Sequence, residues 1–158
     1  ELVVQTNHYI DTPDQLIRKE KMALRVRTFT DQAELTLKVP ETVGHFEYNQ
    51  ALSQEETEAL LQHQELPDGE IKDLLESKRI PVEQLAVWGS LTTERFEKET
   101  AAGLVALDHS LYLDTEDYEL EIEVETAEQE ENFHQFISDH GIVYKAAKNK
   151  IARLAERL

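Results

Sequence analysis

No cysteine occurs in the 158 residues. That excludes a disulfide framework, a thiolate nucleophile and a thiolate-bound metal. Long apolar runs are missing as well: uninterrupted apolar stretches reach only a few residues, far below the roughly 20 a membrane-spanning helix needs. The opening residues carry neither the basic head nor the apolar block of a secretory leader. Glycine is scarce and scattered, at 44, 69, 89, 103 and 141, so no glycine-rich loop is available to cradle a phosphate. Ser53 and Ser90 lack a nucleophile elbow or a partnered base, which argues against a serine hydrolase. The expectation is a cytoplasmic protein with no membrane partner.

Positive charge is also in short supply. Sixteen Lys and Arg face 33 Asp and Glu, for a formal net charge of −17. Such a surface repels nucleic-acid polymers and anionic membranes. An anionic ligand must therefore be held by a local cluster of cations that overcomes the global field. The remaining composition, 40% apolar and 31% charged, is that of one globular domain with a real core.

Periodicity divides the chain into strand, helix and strand again. Leu2 to Ile10 reads as a strand ended by the turn cluster Asp11-Thr12-Pro13-Asp14. Ala23 to Phe29 and Glu34 to Val39 alternate with period two around an Asp31-Gln32 turn, and Pro40 closes the second. His45 to Leu52 is a further strand. Ser53 with Glu56 forms a capping box for a helix to about Gln64, broken by Pro67-Asp68-Gly69. A second helix spans Glu70 to Ser77, and Pro81 opens a connector towards Gln84. Strands return over Val87 to Thr100, Leu104 to Leu113 and Tyr118 to Glu125, with turns at Gly103 and at Thr115-Glu116-Asp117. Ala127 to His140 is a helix with Phe133, Phe136 and Ile137 on one side, and Gly141 fits its stop. Lys148 to Leu158 is a terminal helix. No solenoid repeat is present. The result is one α+β domain dominated by antiparallel strands.

The charges alternate with apolar residues. Arg25 and Arg27 share a strand face opposite Leu24 and Val26. Thr36 and Lys38 oppose Leu35, Leu37 and Val39. Thr93, Arg95 and Glu97 share a face, and Glu119, Glu121 and Glu123 form an unbroken carboxylate row against Leu120, Ile122 and Val124. Taken singly, each such pair is an exposed outer face. If the sheet closes, one set points inward. An apolar interior would carry a small lipophile. A charged interior would leave the apolar side for helices to cover. Periodicity does not choose between them, but chemistry favours the second. Carboxylates about 7 Å apart along a strand repel one another unless cations intervene. Hard cations such as Mg²⁺ or Mn²⁺ prefer oxygen ligands, and Arg and Lys clamp phosphate oxygens. Together they are the parts that phosphoryl chemistry uses.

The order of motifs carries a resemblance. Tyr9-Ile10-Asp11-Thr12 precedes Ala23-Leu24-Arg25-Val26-Arg27 and Leu35-Thr36-Leu37-Lys38. Thr93-Glu94-Arg95, Leu107-Asp108 and Tyr118-Glu119-Leu120-Glu121-Ile122-Glu123 follow, and Lys148-Asn149-Lys150 with Arg153 ends the series. Each is weak alone, but the ordered series spans nearly the whole chain. It resembles the CYTH superfamily of triphosphate tunnel metalloenzymes, in particular its bacterial YjbK-like branch. The resemblance implies an eight-stranded antiparallel β-tunnel with flanking helices, closed or partly open. It implies a triphosphate-containing small molecule as ligand, with Mg²⁺ or Mn²⁺ as cofactor. By position, Arg25, Arg27, Lys38, Arg95, Lys148, Lys150 and Arg153 would hold phosphate. Glu119, Glu121, Glu123 and Asp108 would hold metal, and Glu121, Arg27 and Lys38 would carry catalysis. Glu47 would be a further, weaker candidate for a tunnel-lining carboxylate.

One motif departs from the pattern. The family's first strand carries Glu-x-Glu-x-Lys, which occurs nowhere here: Glu97-x-Glu99 is followed by Ala101 and Glu121-x-Glu123 by Glu125. The simplest expectation is that this strand and the helix after it precede Glu1, the other that the chain is a degenerate member; in either case residues 1–158 are expected to catalyse poorly. The histidines at 8, 45, 63, 109, 134 and 140 show no ligand spacing and read as surface or packing residues. Trp88, Tyr112, Tyr118, Phe133 and Phe136 read as core. The leading expectation is hydrolysis of inorganic triphosphate or a nucleoside triphosphate. The alternatives are a non-catalytic polyphosphate- or nucleotide-binding module and, third, an adenylate cyclase.

Overall fold

The computed structural model describes residues 1–144 and 148–158. Its strands are β1 (Leu2–Asp11), β2 (Ala23–Thr28), β3 (Ala33–Pro40), β4 (His45–Leu52), β5 (Ala86–Thr100), β6 (Gly103–Tyr112) and β7 (Thr115–Glu123). The helices are α1 (Leu16–Lys19), α2 (Gln54–His63), α3 (Glu70–Ser77), α4 (Ala127–Asp139) and α5 (Lys150–Glu156), with a short 3-10 turn at Val82–Gln84. The hydrogen-bonded strand order is β4-β3-β2-β1-β5-β6-β7. This corrects the expectation of eight strands around a tunnel. Seven occur among the described residues, and the order ends at β4 and β7. Closure would require those two edges to exchange a ladder of hydrogen bonds. The residues group into two compact units, Gln5–Ser90 and Glu1–Val4 with Leu91–Leu158.

In the unit Gln5–Ser90, the strands bury one face against helices. Leu24, Val26, Leu35 and Leu37 are almost completely buried, in a cluster with Ile17 of α1, Leu60 of α2, and Ile71 and Leu75 of α3. The opposite face carries Arg25 and Arg27, in register with Thr36 and Glu34. Helices here cover the apolar side of the alternation, the arrangement that the site chemistry favours. Ser53 accepts the backbone N–H of Glu56 while the Glu56 carboxylate accepts that of Ser53, so the capping box closes at the start of α2.

The sequence reading missed α1. Asp11, at the end of β1, accepts backbone N–H groups from Thr12 (2.7 Å), Ile17 (2.9 Å) and Arg18 (3.1 Å), and Thr12 Oγ1 accepts that of Leu16 (3.0 Å). One buried carboxylate nucleates the short helix, which gives the Asp11-Thr12 pair a structural task.

The unit built on Glu1–Val4 and Leu91–Leu158 holds the meander of β5 (from Leu91 onward), β6 and β7, with α4 and α5. Gly103 opens β6 with φ +117°, and a Cβ there would lie 2.1 Å from the Glu123 carbonyl oxygen. Only glycine allows so close an approach to β7. The turn expected at 115–117 lies two residues earlier: Leu113 takes a left-handed φ of 53°, and Thr115 already pairs with Tyr112. On one face of this meander Phe96, Leu107, Tyr118 and Leu120 stay exposed. The other face holds Arg95, Asp108, Glu119 and Glu121.

Candidate metal centre

Register builds the site. Arg95 of β5 lies opposite Asp108 of β6, and Asp108 lies opposite Glu119 of β7. Glu121, two residues further along β7, shares the Glu119 face. Its partner in register is Ala106, whose small side chain leaves space above the sheet.

Asp108 is the hub and has no exposed side-chain surface. Arg95 donates Nε to its Oδ1 and one terminal nitrogen to its Oδ2, each at 2.7 Å, in the fork geometry that suits guanidinium and carboxylate. That same terminal nitrogen donates to Glu121 at 2.8 Å. Lys150, at the start of α5, places its ammonium 2.6 Å from Asp108, 3.0 Å from Glu121 and 3.5 Å from Glu119. Arg153, one helical turn on, donates to Glu119 at 2.7 Å and approaches Asp117 at 3.5 Å. Asn149 caps α5 by accepting the Ala152 N–H, which sets where Lys150 and Arg153 emerge.

The protonation states follow from these contacts. Burial alone would make ionised Asp108 costly, but hydrogen bonds from Arg95 and Lys150 outweigh it and hold its pKa below the ordinary carboxylate value. Burial likewise works against the Lys150 ammonium, and its bonds to Asp108 and Glu121 overcome that and raise its pKa. Arg95 is held firmly cationic, chiefly by Asp108.

One oxygen from each of Asp108, Glu119 and Glu121 lies within 4.8 Å of the others. Three oxygen donors on adjacent strands, with a bound ammonium among them, fit a hard divalent cation in donor chemistry and in charge.

Other expected site residues make other contacts. Glu123 is exposed near the end of β7 and is outside this triad. Lys148 is exposed and pairs with Glu156. Arg25, Arg27 and Lys38 belong to the unit Gln5–Ser90. There Arg27 donates Nε to Asn7 at 2.9 Å. The Nε of Arg25 is buried with no hydrogen-bond partner among the described residues, as is that of Arg153. Lys38 is exposed, in register with Glu47. The sequence reading missed Asp117, which extends the Glu119–Glu121 row by one step and also accepts the Tyr112 hydroxyl. The period-two spacing could have revealed it.

His109 lies on the other face. Its Nδ1 is 2.9 Å from Glu94 and its Nε2 is 2.7 Å from Glu116, and its ring stacks on Tyr118 at 4.5 Å. These bonds serve packing and charge pairing across the meander.

A family model described as the CYTH domain matches residues 1–155. The YjbK protein of Bacillus subtilis, which carries the provisional name of triphosphatase, is 39% identical over 153 residues, spanning 96% of this chain and 79% of the relative. A solved Bacillus halodurans structure, provisionally described as an adenylate cyclase, matches with a TM-score of 0.87 and 37% identity over 96% of this chain and 82% of that one. A Hippeastrum protein, provisionally an adenylyl cyclase and described as having a dominant triphosphatase activity, shares the fold at TM-score 0.78 and 19% identity, over 99% of this chain and 83% of that one.

Proposed function

This chain belongs to the CYTH domain family, and from that premise we propose that it serves divalent-metal-dependent hydrolysis of a triphosphate. The observation that carries the reading is the convergence of Asp108, Glu119 and Glu121 with Arg95, Lys150 and Arg153 on one face of β5-β6-β7. Carboxylates alone would repel a polyanion, and cations alone would hold it without neutralising its oxygens. The two sets together match a triphosphate bound through metal.

Asp108, Glu119 and Glu121 would hold Mg²⁺ or Mn²⁺. When bound, the ion supplies charge neutralisation at phosphate oxygens and Lewis acidity. The protein's own groups do the positioning. Asp108 fixes the Arg95 fork in one orientation, so its remaining N–H donors are aimed before substrate arrives. Arg153 has a buried Nε without a hydrogen-bond partner among the described residues, a donor suited to a phosphate oxygen. We also assign phosphate contacts to Lys150, Lys148, Arg25, Arg27 and Lys38, on the family pattern; the Arg25 Nε, without a hydrogen-bond partner among the described residues, supports its assignment.

The test is phosphate release from inorganic triphosphate and ATP in Mg²⁺ or Mn²⁺, with Glu121→Gln as comparator. Orthophosphate release lost in the variant supports the reading. Triphosphate binding by calorimetry without release would establish a binding module instead. Pyrophosphate with cyclic AMP as products would establish a cyclase.

A further inference from the structure

The Lys150 ammonium touches all three carboxylates of the metal triad, at 2.6, 3.5 and 3.0 Å from Asp108, Glu119 and Glu121. It is therefore a monovalent cation sitting among donors suited to a divalent one. We propose that Lys150 and the divalent cation are mutually exclusive occupants of this triad, so that α5 is an internal latch which metal loading releases. This rests on the metal-site reading above.

Three features carry it. First, space: the donor oxygens lie within 4.8 Å of one another, and Mg²⁺ draws oxygen ligands to about 2.0–2.1 Å. A cation so placed overlaps the volume the ammonium fills. Second, charge: an ammonium pressed against a dication is repelled through the same low-dielectric medium that now binds it to the carboxylates. Third, attachment: Arg95 comes from β5 and its fork on Asp108 is part of the sheet register. Lys150 instead comes from a seven-residue helix. Among the described residues, α5 is tied to the strands by Lys150 on Asp108, Glu119 and Glu121 and by Arg153 on Glu119 and Asp117. Leu154 is its one buried apolar anchor. An entering dication removes every Lys150 contact and competes with Arg153 for Glu119. The helix end then loses the ion pairs that dock it, and a free ammonium is left beside the bound metal's ligand sphere.

Linkage makes the idea quantitative, because metal and docked helix must weaken each other by the same factor. The probe is Mn²⁺ alone, titrated by calorimetry into the 158-residue chain, with hydrogen exchange of the α5 amides as a second readout. Lys150→Met is expected to bind Mn²⁺ about tenfold more tightly than the parent, and Lys150→Arg to bind like the parent. Arg153→Gln, which loosens α5 without removing the ammonium, is expected to tighten Mn²⁺ by a smaller factor. In the parent, Mn²⁺ is expected to accelerate exchange at residues 152–157. Unchanged affinity in Lys150→Met together with unchanged α5 protection overturns the latch while leaving the metal site intact. Absence of Mn²⁺ binding in every form, and equally in Asp108→Asn, overturns both the latch and the metal site.

Discussion

Arg95 on β5 and Asp108 on β6 face each other at one register position and are joined by two hydrogen bonds of 2.7 Å, the carboxylate being wholly buried. The pair fixes the polar face of the meander, because Asp108 also accepts Lys150 and Arg95 also reaches Glu121. Removing the guanidinium leaves a buried carboxylate short of its main partner. Arg95→Met is expected to lower unfolding stability by about 3 kcal/mol, as for a buried pair broken on one side. The double variant with Asp108→Asn recovers part of that loss, which urea denaturation across the double-mutant cycle would read out.

Metal dependence is the second expectation. With Glu121→Gln the triad loses a charged oxygen donor, and triphosphate turnover should fall by about two orders of magnitude. Circular dichroism of the variant should match the parent. Chelation with EDTA should abolish turnover in the parent, and excess Mg²⁺ or Mn²⁺ should restore it. Turnover indifferent to EDTA contradicts the assignment.

His109 gives a pH dependence of known sign. Hydrogen bonds to Glu94 and then Glu116 raise its pKa above 6.5. A raised folded-state pKa means its stabilisation is complete below pH 6.5 and disappears as pH climbs through the folded value. The difference in urea midpoint between the parent and His109→Gln should therefore shrink with rising pH across that window. A difference that grows instead rules the assignment out.

Gly103 is a backbone test. Gly103→Ala places a methyl against the Glu123 carbonyl at a φ of +117°, and a loss of about 3 kcal/mol is expected. Thermal and urea unfolding would measure it, and an unchanged midpoint would mean that β6 and β7 can separate at that point.

Core truncation is the last. Leu37 is fully buried among α1–α3 and the strands, so Leu37→Ala should cost about 2–5 kcal/mol. Ser53→Ala, which removes only the α2 cap, should cost about 1 kcal/mol. Urea midpoints for the two variants should keep that order.

Much of this was readable in advance where a local rule decides the outcome. Ser53 with Glu56 placed α2 because a capping box spans only three peptide bonds. His45–Leu52, read from its length and its aromatics Phe46 and Tyr48, and Glu70–Ser77, read as the helix after the Pro67-Asp68-Gly69 break, fall at the expected bounds. The short α1 escaped because its cap, Asp11, lies at the end of a strand and reaches forward six and seven residues to Ile17 and Arg18. The start of β7 was misplaced because Leu113 turns the chain in a left-handed conformation that no leucine announces.

By itself, the order of residues determined which side chains share a strand face, since alternation is a property of the extended backbone. It put Glu119 with Glu121 and Arg25 with Arg27, and it also put Glu123 on a row whose last member stays outside the triad. Tertiary structure alone decided that Asp108 meets Arg95 and Glu119, because register across three strands depends on two hairpins. It alone decided that Lys150, some 42 residues along the chain from Asp108, supplies the cation among those carboxylates. Electrostatic contact depends on distance in space, and sequence separation does not reveal it.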